Sequence, residues 1–147
     1  MKLEIQIRKI EEKDLDFIYN STCELQNEIF DFEVFMSIFI ENISNKNNLY
    51  LIANVGTENL GYISFHTQKL MHHCGIVGEI QEFYIKPNHR NKGIGKQLLE
   101  NIISYADQHK LKSIEVTTNK KRIENVLIYE NLGFNLSHNK FTIYKTE

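Results

Sequence analysis

The chain has 147 residues, 41% of them hydrophobic and 24% charged, which suits one globular domain over residues 1–147 and leaves no room for a second. A formal net charge of −2 provides no general attraction to nucleic acid, and no apolar run approaches a membrane span or a secretory leader, so a soluble cytoplasmic protein is expected. The two cysteines, Cys23 and Cys74, have neither metal-type nor redox-type spacing and read as reduced, partly buried thiols, with a disulfide between them as the alternative.

In chain order, residues 3–7 alternate as a first strand. Residues 13–27 and 32–43 carry helical apolar spacing, with Asp31 placed to cap the second helix. Residues 49–55 and 60–67 form a hairpin around the turn residues 56–59. Residues 76–85 are a strand and 93–109 a helix, with Leu98, Leu99, Ile102, Ile103 and Ala106 on one side. Residues 113–117 are a further strand, 122–132 a helix ended by Gly133, and 134–136 with 141–144 a closing hairpin. The strand–helix–strand unit from Ile76 to Thr117 predicts a parallel pair, whereas the earlier strands, joined by short turns, should be antiparallel. A mixed sheet of six to seven strands, with helices on both faces, is the expected α+β architecture.

The most informative stretch is Arg90-Asn91-Lys92-Gly93-Ile94-Gly95-Lys96, which joins a strand to a helix start. Such a turn aims backbone N–H groups and the positive end of a helix dipole at one spot, and its glycines let an anion come close. Lys86, His89, Arg90, Lys92 and Lys96 crowd around it, while residues 11–41 are mostly acidic. A small polyanion such as a diphosphate is the expected ligand. The stretch lacks both the P-loop pattern and the third glycine of a dinucleotide loop.

The loop resembles the [RQ]-x-x-G-x-[GA] acyl-coenzyme A loop of the GCN5-related N-acetyltransferases. Ile85-Lys-Pro87 before it, Asn119 after it, and Ile128-Tyr129-Glu-Asn-Leu-Gly-Phe134 further on resemble that superfamily's V-x-P, Asn and F-Y-x-x-x-G-F. The resemblance implies the superfamily fold, in which two parallel strands splay and admit the pantetheine arm. It implies that acetyl-coenzyme A meets Phe83, Ile85, Arg90, Asn91, Lys92, Gly93, Ile94, Gly95, Lys96 and Asn119, and that a backbone N–H near Ile85 holds the oxyanion.

Acetyl transfer to an amine requires a base for the ammonium and an acid for the leaving thiolate. Glu79 and Glu82 lie on the strand before the loop. With a period of two they face opposite sides unless a bulge intervenes. Glu79 is six residues before Ile85, which resembles the position of the superfamily's general base, so Glu79 is the expected base or water-positioning group. Glu82 is the expected ammonium contact or alternative base. Tyr129 matches the tyrosine that, by the resemblance, protonates the sulfur. Ile128 replaces the first aromatic of that pair.

His66, His72, His73 and His138 show no metal-type spacing, and adjacent histidines on a strand face opposite ways, so no metal ligands are assigned. A closer likeness covers residues 23–142: His66-Thr-Gln68, His72-His73, Gly78-Glu-Ile-Gln-Glu82, Thr118-Asn-Lys-Lys-Arg122, Ser137-His138 and Phe141-Thr142 resemble the aminoalkylphosphonate N-acetyltransferases. That subfamily acetylates small phosphonate-bearing amines, and a divalent metal is associated with it. A phosphonate needs cationic or hydrogen-bonding partners, so His66, His73 and His138 join Glu82 as the expected substrate-binding residues, with His72 and Lys140 as further candidates. None of these candidate phosphonate partners is an arginine, the usual residue for a fixed bidentate clamp.

The leading expectation is direct attack of a small primary amine on acetyl-coenzyme A in a ternary complex. The alternatives are the same chemistry on a polyamine, amino acid or protein amine, for which an acidic groove around Glu24, Glu28 and Asp31 would speak, and a non-catalytic acyl-coenzyme A sensor. No nucleic-acid or membrane partner is expected, and a homodimer is left open.

Overall fold

A computed structural model describes residues 4–145, so Leu3, the expected start of the first strand, lies outside the described residues. The elements are β1 (Gln6–Lys9), α1 (Leu15–Gln26), α2 (Phe32–Ser44), β2 (Asn48–Val55), β3 (Glu58–Leu70), β4 (Gly75–Ile85), α3 (Ile94–Gln108), β5 (Ser113–Val116) and α4 (Ile123–Asn131). Two compact units divide the chain, one ending at Thr117 and the other beginning at Thr118.

In the first unit five strands form one sheet in the order β1-β2-β3-β4-β5. All neighbours are antiparallel except β4 and β5, which pair in parallel and are joined through α3 as expected. Side-chain alternation assigns the faces. Tyr50 and Ile52 of β2, Tyr62 of β3 and Tyr84 of β4 pack with Ile18 of α1 and Phe39 of α2. On the other face, the buried ring of Phe65 meets Tyr105 of α3 edge-on at 6.2 Å. Helix α3 buries Ile94, Leu98, Leu99, Ile102 and Ala106, the periodic residues seen in the sequence except Ile103, which is exposed.

Local chemistry explains the boundaries. Asp31 Oδ1 accepts the Val34 N–H at 3.0 Å and caps α2 as expected. Asp14, buried just before α1, takes both terminal nitrogens of Arg8 on β1 at 2.8 and 2.9 Å, which ties the first strand to the first helix.

The second unit contains α4, which ends in a Schellman cap. Gly133 adopts φ +100°, its N–H reaches Glu130 O, and Phe134 N–H reaches Tyr129 O, both at 3.0 Å. The Tyr129 and Phe134 rings meet edge-on at 5.7 Å, the hydrophobic contact that accompanies this cap. The spacing Tyr-x-x-x-Gly-Phe is therefore the spacing of a helix terminus.

Two expectations are corrected. The expected six to seven strands are five among the described residues, because the closing hairpin of residues 134–136 and 141–144 does not form. Leu136, Phe141, Ile143 and Tyr144 are exposed, and without a partner ladder their apolar pattern alone does not hold strands together. Of the cysteines, Cys23 is half-buried but Cys74 is exposed, at a left-handed turn between β3 and β4; both are free thiols.

Candidate active site

The β3–β4 ladder contains a register shift between Ser64 and Phe65. Glu82 lies opposite Ser64, Ile80 opposite Phe65 and Glu79 opposite His66, and Gln81 is the extra residue. Ser64 and His66 are two apart on β3 and share a face, so their partners Glu82 and Glu79 share it too. The bulge that the alternation rule left open is present, and it brings the two carboxylates together on the face covered by α1 and α2.

Their surroundings differ. Glu79 Oε1 accepts from Gln81 Nε2 at 3.2 Å, and Oε2 accepts from Thr117 Oγ1 at 3.0 Å. Glu82 is half-buried and accepts from the Ser64 hydroxyl, whose oxygen in turn accepts the Glu82 backbone N–H at 2.9 Å. Burial raises the Glu82 carboxyl above its ordinary pKa, and the Ser64 bond opposes that shift only in part.

Hydroxyl groups surround this pair. Tyr50 lies opposite Ser64 on β2, with its hydroxyl 2.7 Å from His66 Nε2 and accepting from Asn42 Nδ2 at 3.0 Å. Burial and the neighbouring Glu82 charge push Tyr50 up to about 12. Tyr62 pairs with Thr22 of α1 at 2.6 Å, and Tyr84 donates to Glu24 of α1 at 2.5 Å. Burial pushes Tyr84 up to about 12 as well. His66 is pushed down by burial, against the opposing charge of Glu79. Tyr50, Ser64 and Thr22 were not singled out in the sequence. The signal was there: Tyr62, Ser64 and His66 recur every second residue, alternating with Gly61, Ile63 and Phe65.

The β4–β5 ladder covers only Val77–Ile80 against Ser113–Val116, which leaves residues 81–85 of β4 without a β5 partner. Beyond them, Pro87 opens a 3-10 turn, Asn91 adopts φ +62° and Gly93, at φ +83°, caps α3. The first helical bond runs from Gln97 N–H to Gly93 O at 3.1 Å. The N–H groups of Ile94, Gly95 and Lys96 precede it and have no intrahelical acceptor. Gly95 faces Phe83 and Ile85. A Cβ there would lie 3.4 Å from the Phe83 ring and 3.8 Å from Ile85, so three of the residues expected to bind the cofactor, Phe83, Ile85 and Gly95, lie together.

The expected basic cluster is dispersed. Lys86 and His89 turn to Glu58, at 3.7 and 3.8 Å. Arg90 Nε donates to Ile85 O at 2.9 Å, with its guanidinium 6.0 Å from the Tyr84 ring centre. Lys92 and Lys96 are exposed.

In the second unit, Asn119 O accepts from Arg122 N–H and Asn119 Oδ1 from Lys121 N–H, both at 2.9 Å, which folds the turn before α4. Tyr129 lies on α4, and burial raises its hydroxyl above the ordinary phenol range. His138 is exposed and pairs with Ser137 at 2.6 Å, and Lys140 is exposed too.

The histidines do not gather. His72 and His73 sit at the tip of the β3–β4 hairpin with rings 4.5 Å apart. His73 lies in the turn before β4, which begins at Gly75, seven residues before Glu82, so at about 3.3 Å per strand residue it is on the order of 20 Å away. Among the described residues no three His, Cys, Asp or Glu side chains could hold a metal ion. The donor set does not fit a resident metal, and no step is assigned to one. Among the described residues no helix is long and apolar enough to cross a membrane.

Comparison with known proteins gives the family and the fold. The acetyltransferase (GNAT) family profile matches residues 13–134. The chain is 34% identical over 137 residues to the aminoalkylphosphonate N-acetyltransferase of Salmonella typhimurium, covering 93% of this chain and 89% of that protein. It is 25% identical over 118 residues to an uncharacterized N-acetyltransferase of Archaeoglobus fulgidus, covering 76% of this chain and 80% of that one. Among solved structures, a transcriptional regulator from Bacillus halodurans superposes with a TM-score of 0.87 at 25% identity, covering 97% of this chain and all (100%) of that one. An aminoglycoside N-acetyltransferase in complex with coenzyme A shares the fold, with a TM-score of 0.86 at 14% identity over 99% of this chain and 97% of that one. The chain belongs to the acetyltransferase (GNAT) family.

Proposed function

We propose that residues 1–147 act as one cytoplasmic domain that acetylates a small primary amine bearing a phosphonate, by direct attack on acetyl-coenzyme A in a ternary complex. The observation that carries this reading is the β4 bulge, which gives Glu79 and Glu82 one face next to a strand segment free of β5. Two carboxylates on one face attract an ammonium, and the partnerless β4 edge suits an extended pantetheine arm. The diphosphate is assigned to the first-turn N–H groups of α3, where the helix dipole favours an anion.

In this reading Glu82 removes the ammonium proton, because its raised pKa lies nearer the operating pH of a general base. Glu79, with neutral donors on both oxygens, holds the ammonium or the water beside it, and remains the alternative base. The amine then attacks the thioester carbonyl, a backbone N–H near Ile85 holds the oxyanion, the thiolate leaves with the proton of Tyr129, and the second proton shed by the nitrogen as the amide forms restores the Tyr129 phenol. The Tyr129 assignment rests on the motif match, and a phenol raised by burial keeps its proton until the thiolate forms. Asn119 is assigned to the cofactor on the same motif ground.

The phosphonate is inferred from the name of the Salmonella relative. A polycation is less well supported, since Glu24 of the acidic groove is already occupied by the Tyr84 hydroxyl. The test is a thiol-release screen of aminomethyl- and aminoethylphosphonate against spermidine, amino acids and a lysine peptide, with and without divalent metal. Preferred turnover of the phosphonates supports the reading. Preference for another amine replaces the acceptor, and cofactor binding without turnover of any amine leaves a sensor.

A further inference from the structure

Every turnover of the proposed reaction releases one net proton: an ammonium and a thioester become an amide, a thiol and H⁺. That proton starts on Glu82, a half-buried carboxylate under α1 and α2, and it must reach solvent before the next cycle. A chain of side chains leads away from it. Ser64, wholly buried, donates to the Glu82 carboxylate and stands directly across the β2–β3 ladder from Tyr50, so rotation of its hydroxyl turns it from one to the other. The Tyr50 hydroxyl is 2.7 Å from His66 Nε2, and His66 is partly exposed. Tyr50, Ser64 and Glu82 are direct neighbours across β2, β3 and β4, so the sheet register sets their spacing. Asn42 of α2 donates to the Tyr50 oxygen at 3.0 Å, which leaves the phenol proton to point at the imidazole.

We propose that Ser64, Tyr50 and His66 form a relay that carries the amine-derived proton from Glu82 to solvent. The proposal rests on the acetyl-transfer reading and assigns His66 to proton export in place of the phosphonate. The Glu82 carboxyl passes its proton to Ser64 Oγ, the Ser64 proton moves to Tyr50 Oη, and the Tyr50 proton moves to His66 Nε2. The imidazolium then releases its Nδ1 proton to water or buffer. Each hydroxyl gives up one proton as it gains one, and no electrons or heavy atoms are exchanged. Rotation of the hydroxyls and re-equilibration of the imidazole tautomer with solvent reset the chain. Tyr50 need never ionise, so a phenol raised to about 12 is no obstacle.

The test uses the full chain, acetyl-coenzyme A and whichever amine the wild type acetylates, in single turnovers so that product release does not mask proton transfer. His66→Ala should slow turnover about 10-fold or more, less than the 10²–10⁴-fold of a direct acid–base group, with KM little changed. Added imidazole should restore the rate in a concentration-dependent way. His66→Gln keeps a hydrogen-bonding side chain but cannot ferry a proton, so it should be as slow as His66→Ala. Tyr50→Phe should be slow and unresponsive to imidazole, because the break lies inside the protein. Thermal melts confirm that each variant is folded.

The relay is overturned if His66→Ala turns over at the wild-type rate, if imidazole does nothing, or if His66→Gln is fully active. It is equally overturned if imidazole rescues Tyr50→Phe, which would mean direct access to Glu82. Active wild type with unaffected variants defeats the relay alone. Wild type that acetylates no amine defeats the acetyl-transfer reading, and the relay with it.

Discussion

Gly78 opens the Gly-Glu-Ile-Gln-Glu block, and the fold gives a reason for glycine there. A Cβ at this position would lie 1.9 Å from Phe65 Cζ and 2.6 Å from both Cε atoms. The Phe65 ring crosses β4 at this point. It cannot swing away, because it is wholly buried and edge-packed on Tyr105 of α3. Gly78→Ala therefore overpacks a rigid site, and the overlap is too large for shifts of tenths of an ångström. Overpacking costs about 1–3 kcal/mol, and this contact belongs at the upper end. At this chain length the melting temperature should fall by roughly 5–10 °C.

Urea denaturation should show a lower midpoint at unchanged slope, which isolates a stability effect. Phe65→Leu removes the offending ring atoms. The double variant should be less destabilised than the sum of the two singles, by about 0.5–3 kcal/mol for residues in contact. A Gly78→Ala protein within about 0.5 kcal/mol of wild type, the range of an ordinary surface change, would refute the argument. So would an additive cycle.

Four other outcomes are expected. Glu82→Gln should lower kcat/KM by about 10²–10⁴-fold at neutral pH, and the wild-type kcat/KM should rise with pH through a value above the usual glutamate range. Burial keeps the Glu82 proton on the folded form where the unfolded chain has released it, so Glu82 subtracts stability as pH rises from its unfolded pKa through its folded one; Glu82→Gln should melt no lower than wild type at neutral pH. Gly95→Ala meets only ordinary contacts of 3.4–3.8 Å with Phe83 and Ile85, so its melting curve should match wild type. Calorimetry should nevertheless show acetyl-coenzyme A bound about 10-fold more weakly, a loss of about 1.4 kcal/mol, and undiminished affinity would remove the diphosphate from this loop. Tyr129→Phe preserves the edge contact with Phe134, so the fold should be intact while kcat and kcat/KM fall together by about 10²–10⁴-fold; a deficit below a few-fold would make Tyr129 a packing residue.

Much of the fold was legible because its signals are local. The Asp31 cap, the apolar stripe of α3 and the terminating Gly133 each depend on residues within a turn or two, and each stands where the sequence put it. The closing hairpin failed because a strand is a relation between two segments, and alternation in one segment does not supply the other. The basic loop was half legible. Its glycines and helix start can be read in sequence, but the directions taken by Lys86, His89 and Arg90 depend on Glu58 and on the Ile85 carbonyl, which only the folded chain brings near.

The candidate site shows the same division most sharply. A period of two separates Glu79 from Glu82, and one extra residue, Gln81, reunites them. Nothing in the composition of Gly-Glu-Ile-Gln-Glu announces that insertion, because β3 is what is being counted against. Once the bulge is granted, the rest follows from register. Ser64 must face Glu82, Tyr50 must face Ser64, and the polar alternation of β3 becomes a row of hydroxyls beside a carboxylate. The bulge also falls where the β5 ladder has ended after Ile80, so the irregular backbone does not face a parallel partner that would resist it. A bulge one ladder position earlier would disturb the β4–β5 pairing. One later would leave Glu82 on the α3 face, away from Ser64. The position of a single residue thus decides whether this strand carries two unrelated carboxylates or a pair able to receive an amine.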